Sequence, residues 1–287
     1  MSADADRVAH CWPLGHHYSP VPDTVELARE PARSRAWPEE IRGLPGVEWR
    51  AEEQVAFLRD ELGRLPPLDL PRTPTHDPAE YHTANGFFAL TDGWVLQAML
   101  RRFRPRRLIE VGGGWSSLLT ARVSRECLGG ALDFTSVEPY PPECLTDELH
   151  GLTRLLVMPV QEVPLERFLA LEAGDVLFID SSHVIKTGND VRFLYHEVVP
   201  RLAPGVFVHV HDVFLPDDYP EDWVLAGRGW NEQYLLQSFL AFNPAFEVLA
   251  ANWWLGRAHH DVVAACIPGY TGAPEERGGS LWMRRVR

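Results

Sequence analysis

Two pairs of ionisable side chains end or follow two apolar runs of the sequence, and together they could perform acid–base chemistry. Asp180 and His183 come at the end of the run DVLFID and just after it, and His211 and Asp212 end the run GVFVHVHD. A neutral imidazole titrates near physiological pH, so His183 is the first candidate for a general base and His211 the second. Asp212 is the third catalytic candidate. His209 alternates onto the same strand face as His211 but lies deeper, so we expect it to be a satisfied core residue.

A glycine-rich turn in the segment LIEVGGGWSSLLTARV could hold a ligand against the backbone. Gly112, Gly113 and Gly114 follow an apolar run and lead directly into a helical pattern. Glycine lets the chain turn sharply and approach a ligand without an intervening Cβ, and a helix N-terminus offers unpaired N–H groups. Ser116, at the start of this helix, is a further binding candidate. A tight turn without a ligand is the alternative.

Two acids frame the glycine turn. Glu110 lies two residues before the first glycine, and Glu138 ends the next apolar run about 25 residues further on, where a carboxylate can accept both hydroxyls of a ribose. A solvated strand-end carboxylate is the alternative for Glu138. A dinucleotide-binding fold would need glycine at the position of Ser117, which speaks against a nucleotide-dependent oxidoreductase.

Several of these segments together resemble one enzyme family. The segment from Glu110 to Gly114 resembles motif I of the class I S-adenosylmethionine-dependent methyltransferases. The F-I-D-x-x-H pattern at 178–183 is similar to the small-molecule branch of that family, and so is the His-Asp pair that ends the run at 205–212. The resemblance covers roughly residues 85–255. It implies S-adenosylmethionine as cofactor, with a binding set of Glu110, Gly112, Gly113, Gly114, Ser116, Glu138, Gln161 and Asp180.

The resemblance also gives these residues roles. Glu110 would support the methionine end of the cofactor, and the glycines would pass beneath it. Glu138 would hold the ribose and Gln161 would contact adenine, although Gln161 could equally be part of a helix cap. Asp180 would position either the cofactor amine or the base.

A metal site is the main open alternative for the ends of the runs at 175–180 and 205–212, which we call the catalytic edge. Methyltransferases acting on catechols and some sugars bind Mg²⁺ with acids that follow the fourth and fifth strands. Asp180, His211 and Asp212 occupy the corresponding places, but Mg²⁺ prefers oxygen ligands and His211 departs from that pattern. Magnesium is therefore not favoured, and no metal ligand set is assigned.

The elements that must position these residues can be read from the pattern of short apolar runs and helical stretches. Strands that are apolar on both sides and alternate with helices predict a parallel sheet covered on both faces. The expected strands are 107–111, 132–138, 154–158, 175–180, 205–212, 246–251 and 281–286; the expected helices lie near 88–103, 116–126, 143–149, 164–171, 190–202 and 231–242. Together with the resemblance, this predicts a doubly wound, Rossmann-like α/β fold with seven mostly parallel strands, the last of them antiparallel.

We divide the chain into an N-terminal helical extension with a proline-rich linker, residues 1–80, and a cofactor-binding catalytic domain, residues 81–287. Helical signals in the extension lie at 22–30 and 51–62. The polar, proline-punctuated segment 214–223 follows the catalytic edge and could cover an acceptor pocket, or it is a solvated loop. His16, His17 and Tyr18 could close the other side.

Composition limits the partners and the compartment. The formal net charge of −13 repels phosphate backbones, so nucleic acid is not an expected partner. No apolar run approaches the roughly 20 residues that span a bilayer, and the N-terminus lacks the apolar stretch of a signal peptide. The four cysteines contain no C-x-x-C pair, so we expect a reducing, cytoplasmic setting. The oligomeric state, including a homo-oligomer, stays open.

The leading functional hypothesis is methyl transfer from S-adenosylmethionine to oxygen or nitrogen of a small metabolite, such as a natural-product intermediate or a sugar, with His183 as general base. Two alternatives keep the glycine turn. One is a non-methylating enzyme that consumes the cofactor, for example by intramolecular cyclisation, and the other is a non-catalytic nucleotide-binding protein that needs no base.

Overall fold

The computed structural model describes residues 15–19, 21–23, 25, 43–66 and 68–287. From residue 107 onward, helices follow most of its strands, although turns alone join the second strand to the third. The strands are β1 Arg107–Val111, β2 Asp133–Val137, β3 Arg154–Leu156, β4 Val176–Ile179, β5 Phe207–Val210, β6 Phe246–Ala251 and β7 Leu281–Arg285. The α-helices are α1 Ala51–Ala56, α2 Leu90–Phe103, α3 Trp115–Cys127, α4 Leu165–Leu169, α5 Asp190–Phe193, α6 Glu221–Leu225, α7 Glu232–Leu240, α8 Asn252–Ala258 and α9 His260–Cys266.

Two of the helices continue in a different geometry. Helix α1 runs on as the π-helical segment Phe57–Leu62, and α5 runs on through a π-helical segment to Arg201. Within the described residues no helix has the length and apolarity that crossing a bilayer requires.

The seven strands form one sheet in the order β3-β2-β1-β4-β5-β7-β6. Strands β1 to β5 pair in parallel, whereas β7 lies antiparallel between β5 and β6. The chain reverses its direction of winding between β1 and β4. In open α/β sheets this switch point, at the carboxyl ends of the strands, is where ligands bind.

Apolar side chains cover both faces of the sheet, which is why the strands read as continuous hydrophobic runs. Leu108, Phe134 and Phe178 face one core, which also contains α2 and α3. Leu177 and Ile179 face the second core, which contains α4, α5 and α7. All four residues of β4 are buried.

A buried carboxylate fixes the amino ends of the two central strands. Asp175 accepts hydrogen bonds from the backbone N–H groups of Arg106 and Arg107 at 3.2 and 2.9 Å and from that of Glu172 at 2.9 Å. Because β1 and β4 are pinned together here, their register is set before they reach the opposite, functional edge.

The predicted architecture is confirmed: all seven strands occur where they were expected, and the last one is antiparallel. The helix predicted at 143–149 is wrong. This segment forms separate turns, with Leu145 N–H bonded to Pro142 O and Leu149 N–H bonded to Thr146 O. Both bonds span three residues, and no backbone bond spanning four residues joins the two turns in this described segment, so no helix forms. Helices α6, α8 and α9 were not predicted.

The segment 51–62 belongs to the main core. Leu58 and Leu62 are buried among its apolar residues, and Gln54 Oε1 accepts a hydrogen bond from the backbone of Ala251 on β6. The domain boundary at residue 80 stays a prediction, but these contacts tie the preceding residues to the sheet. The helix predicted at 22–30 lies mostly outside the described residues.

Candidate functional site

The three glycines of the turn after β1 have different surroundings. A Cβ on Gly112 would lie 1.7 Å from the carbonyl oxygen of Asp180, and the φ of this glycine is +86°. A Cβ on Gly113 would meet the side chains of Leu145 at 2.4 Å and Ser136 at 2.6 Å. A Cβ on Gly114 would meet nothing within 4 Å. Gly112 and Gly113 are therefore needed for protein packing, and only Gly114 borders open space.

Glu110 holds the turn and the start of α3 together. It is fully buried on β1 and accepts hydrogen bonds from the hydroxyls of Ser116, at 2.6 Å, and Ser117. Ser117 Oγ in turn accepts the N–H of Gly114 at 3.0 Å. Burial raises the pKa of Glu110 to about 8, although the serine hydroxyls lower it. The carboxyl group thus orders the glycine turn from beneath.

Glu138 lies directly beside this turn. Its Oε2 accepts the N–H of Gly113 at 3.0 Å, and its Oε1 accepts the N–H of Tyr140 at 2.8 Å. Each carboxylate oxygen keeps a further lone pair for a ligand hydroxyl. Gln161 makes a different contact, because its amide donates to the carbonyl of Gly188 at 3.1 Å. The structure therefore joins Glu138 to the glycine turn, whereas Gln161 contacts the loop after β4.

The four polar residues that follow β4 and β5 converge into one group, which we call the carboxylate–histidine cluster: Asp180, His183, His211 and Asp212. His183 Nε2 lies 3.3 Å from Asp180 Oδ1 and 3.4 Å from Asp212 Oδ2. His211 Nδ1 lies 3.3 Å from Asp180 Oδ1 and 3.7 Å from Asp212 Oδ1. The convergence expected from the carboxyl ends of neighbouring parallel strands is present.

The backbone in this cluster is unusual. His183 and Asp212 both have positive φ values, 57° and 55°. Side-chain-bearing residues rarely adopt this left-handed conformation, and when they do they concentrate at functional sites. The two residues are thereby turned toward each other at the ends of adjacent strands.

Two buried acids that the sequence analysis did not single out support the histidines. Glu232, at the start of α7, places Oε2 3.0 Å from His183 Nδ1. Asp92, in the first turn of α2, places Oδ2 3.3 Å from His211 Nε2 and also accepts the N–H groups of Gly279 and Ser280. Acids in the first turn of a helix are common for electrostatic reasons, so nothing in the sequence distinguished these two.

The surrounding carboxylates control the charge of the histidines. Burial by itself lowers the pKa of His183, but hydrogen bonds and charges from Asp180 and Glu232 outweigh it and raise that pKa to about 10. The pKa of His211 is likewise raised well above its usual value, against the effect of burial, mainly by the charges of Asp180 and Asp212. The carboxylates therefore favour the protonated form of both imidazoles, whereas a general base at His183 needs the neutral form.

The two aspartates of the cluster shift in opposite directions. Burial raises the pKa of Asp180, but the charges and hydrogen bonds of His211 and His183 overcome this and lower it. Burial raises the pKa of Asp212, and the histidines offset this only in part. His209 lies two residues before His211 on β5 and is fully buried. Its Nε2 lies 2.8 Å from Ser280 Oγ, and burial lowers its pKa to about 3. It is the neutral core residue that was expected, although only its Nε2 is bonded and its Nδ1 has no hydrogen-bond partner among the described residues.

The cluster has the composition of a cation site. One ligand atom each from Asp180, His183 and Asp212 can be chosen so that all lie within 4.8 Å of one another. The trio considered from sequence contained His211 instead, but in the structure Asp92 engages His211 Nε2. A set of two carboxylates and one imidazole fits a divalent ion, and its nitrogen favours a transition metal over Mg²⁺.

A cavity of about 1120 Å³ opens beside the cluster, and we call it the acceptor cavity. His211 and Asp212 line it, together with Asp92 and Gly279, whereas His183 does not. Five aromatic side chains contribute to the walls: Phe87, Trp94, Phe214, Trp223 and Trp253.

The segment 214–223, for which a pocket cover and a solvated loop were the two alternatives, contributes to this wall. Phe214, Pro220, Asp222 and Trp223 line the cavity, and residues 221–225 form α6. The end of the same connection is fixed to the catalytic edge, because the backbone N–H of Asn231 bonds to the carbonyl of His183 at 2.9 Å. His16, His17 and Tyr18 are not among the residues that line the cavity.

Sequence comparison matches the region that contains the glycine turn and the carboxylate–histidine cluster to a known family. Residues 109–213 match the family described as "Methyltransferase domain". An uncharacterised protein from Archaeoglobus fulgidus is 30% identical over 169 residues, which cover 58% of this chain and 76% of that protein. The matched family region runs from β1 to the residue after Asp212, so it contains the glycine turn and the whole carboxylate–histidine cluster.

Solved structures with similar folds include two O-methyltransferases. One is TomG from Streptomyces achromogenes, involved in tomaymycin synthesis and solved in complex with SAM, at 16% identity over 68% of this chain and 79% of that chain, with a TM-score of 0.40. The other is the O-methyltransferase from Bacillus cereus in complex with SAH, at 17% identity over 83% and 98%, with a TM-score of 0.39. The family match of residues 109–213 and the seven-stranded sheet, rather than these two structures, carry the conclusion. The chain belongs to the class I S-adenosylmethionine-dependent methyltransferases.

Proposed function

We propose that this enzyme transfers the methyl group of S-adenosylmethionine to an oxygen or nitrogen atom of a small metabolite bound in the acceptor cavity. The observation that carries the proposal is the position of Asp212, which belongs to the carboxylate–histidine cluster and also lines the cavity. An acceptor in the cavity would meet the catalytic edge at this residue. Methyl transfer needs mainly such positioning of the acceptor in line with the sulfonium methyl.

The cofactor is proposed to lie along the turn after β1, on the open side of Gly114. Glu138 would hold the ribose hydroxyls with the lone pairs that its two backbone bonds leave free. Glu110 and Ser116 would act from beneath by ordering the turn, as would Gly112 and Gly113. Asp180 would face the methionine amine, and Gln161 would lie at the adenine end.

For the proton of the acceptor, we propose Asp212 as the receiving group. Its carboxyl lines the cavity and its pKa is raised by burial, which moves it toward the range useful for a base. His183 is the base suggested by the sequence, but it does not line the cavity, and Asp180 and Glu232 favour its protonated form. In this proposal the imidazolium of His183 positions Asp212 through their 3.4 Å contact.

A divalent cation is the second candidate, and the close approach of three ligand atoms supports it. Asp180, His183 and Asp212 would hold the ion. Bound there, it would supply Lewis-acid stabilisation of a deprotonated acceptor oxygen.

Three variants and a chelator separate these candidates. With acceptor-dependent release of S-adenosylhomocysteine as the readout, we expect Asp212→Asn to lower turnover by about 10²–10⁴-fold, the usual contribution of a general base. Cofactor affinity, measured by calorimetry, should be unchanged. EDTA should leave the wild type active, and His196→Gln, at an exposed histidine, is the matched control for His183→Gln.

Other outcomes assign the role elsewhere. Full activity of Asp212→Asn with loss of activity in His183→Gln would restore His183 as the base. Loss of wild-type activity in EDTA and its return with Mn²⁺ or Mg²⁺ would establish the cation. Conversion of the cofactor to methylthioadenosine would show that the enzyme cyclises the cofactor instead of transferring its methyl group.

A further inference from the structure

We infer that the acceptor cavity selects metabolites that combine a planar, oxygen-bearing aromatic body with a protonated amine. This inference rests on the proposed function of the same site and adds the chemical class of the acceptor. Three features of the cavity carry it: its aromatic walls, a buried donor without a partner, and its uncompensated negative charge.

The walls fit a flat apolar body. Phe214 packs edge-on against Trp223 and Trp253, with ring centroids 5.4 and 5.2 Å apart, so these three rings are fixed relative to each other. Phe87 also lines the cavity, and its ring is uncovered because the residue is 77% exposed. A cavity of about 1120 Å³ is larger than the usual range of small-molecule sites, about 300–1000 Å³, so a ring system with substituents can enter it.

One buried polar atom of a lining residue lacks a partner. Trp94 lines the cavity and is only 4% exposed, yet its Nε1 has no hydrogen-bond partner among the described residues. A buried N–H without an acceptor is costly, and native proteins usually satisfy such groups. A hydroxyl or carbonyl oxygen of a bound acceptor would supply that partner.

The charged residues of the lining are mostly acidic. The carboxylates of Asp69, Asp222 and Glu275 face no basic side chain within ion-pair distance in the described part of the chain. Among the described residues that line the cavity, Arg72 is the only lysine or arginine. Its guanidinium group is paired with the carboxylate of Glu276 at 3.5 Å. A cleft whose uncompensated charges share one sign concentrates ligands of the opposite sign by about 10–10³-fold.

Indole rings next to carboxylates are also suitable for a cation. Trp223 and Trp253 already stack with the guanidinium groups of Arg228 and Arg277, at 4.3 and 5.4 Å from the ring centroids, and neither arginine lines the cavity. An ammonium group on the acceptor would gain both aromatic and carboxylate contacts, whereas an acceptor carboxylate or phosphate would be repelled.

Three phenols that differ in the charge of one tail test the inference. Tyramine is cationic, 4-ethylphenol is neutral and 3-(4-hydroxyphenyl)propanoate is anionic. Calorimetry with the full chain and saturating S-adenosylhomocysteine should give affinities in that order, with tyramine at least about tenfold tighter than the propanoate at low salt. The ratio should shrink in 0.5 M NaCl, because salt screens charges beyond a few ångströms.

A double variant tests the residues. Asp222→Asn with Glu275→Gln should reduce the ratio of tyramine to propanoate affinity by about threefold or more, as expected for two exposed charges. Glu148→Gln with Glu166→Gln removes two exposed charges outside the lining and should leave the ratio as in the wild type. Trp94→Phe keeps an aromatic side chain, although a smaller one, but removes the N–H donor, and it should weaken the binding of all three phenols.

Equal affinities, tighter binding of the propanoate, or no binding of any of the three would overturn the inference. Methyl transfer is followed separately as release of S-adenosylhomocysteine. Transfer to all three phenols without a charge order would sustain the proposed function and reject the inference. A charge order in binding without transfer from S-adenosylmethionine would sustain the inference about the cavity and reject the proposed function.

Discussion

At the scale of single residues, the glycine turn separates two roles that the sequence pattern could not distinguish. The sequence hypothesis was that Gly112 and Gly114 both admit the cofactor because they lack side chains. In the structure a Cβ on Gly112 would collide with the backbone of Asp180, whereas a Cβ on Gly114 would enter open space. Only the fold could reveal this, because the obstacle for Gly112 comes from a strand about 70 residues away in sequence.

This difference gives a pair of matched variants. Gly114→Val should abolish binding of S-adenosylhomocysteine in calorimetry while the free energy of unfolding stays near that of the wild type, because a Cβ at this position meets no protein atom within 4 Å. Gly112→Ala should unfold more easily in urea, since it meets a backbone carbonyl and a positive φ. Intact cofactor binding by a folded Gly114→Val protein would place the cofactor elsewhere.

Glu138 gives a second prediction at this scale. Replacing it by Ala should weaken cofactor binding by about 1.5–3 kcal/mol, the usual effect of losing hydrogen bonds to a charged group. Glu143→Ala, five residues further on and exposed, is the control and should bind as the wild type does. Unchanged affinity of a folded Glu138→Ala protein would remove this residue from the proposed ribose site.

At the scale of elements, all seven strands were predictable, but three short helices were not. The central strands β4 and β5 are buried along their whole length and read as mostly apolar runs, which is a local and strong signal. Helices α6, α8 and α9 have five to seven residues, too few for a helical period to show. The roles of Asp92 and Glu232 were also hidden, because their partners are brought to them by packing of α2 and α7 against the sheet.

The link between β1 and α3 through Glu110 gives a prediction for stability. Its pKa is about 8 in the folded protein, so between about pH 4.3, the ordinary pKa of glutamate, and pH 8 the folded state holds one proton more than the unfolded state. Stability must therefore fall as pH rises through this window, by at most about 1.4 kcal/mol per pH unit.

Urea unfolding of the wild type and of Glu110→Gln checks the sign. From pH 5 to pH 8 the wild type should lose stability relative to the variant, because Glu110 ionises in this range and glutamine cannot. A difference that stays constant with pH, or that shifts toward the wild type, would show that the buried carboxyl is ionised throughout.

At the scale of the whole molecule, the sequence predicted the edge of the sheet where function lies, but not how its parts are charged or covered. Asp180, His183, His211 and Asp212 were identified because they end or follow strands that must be neighbours. The raised pKa of His183 could not be foreseen, since it depends in part on Glu232, which helix α7 brings to the loop after β4. The acceptor cavity likewise draws its wall from segments spread from Leu68 to Gly279.

The most direct test of the account is to follow the methyl group itself. The protein is incubated with S-adenosylmethionine carrying a ¹³C-labelled methyl group and with the three phenols, and the products are identified by mass spectrometry. We predict S-adenosylhomocysteine together with a phenol that carries the label, and neither product from the Gly114→Val variant. Unconsumed S-adenosylmethionine with every acceptor, or methylthioadenosine as the cofactor product, would contradict methyl transfer at this site.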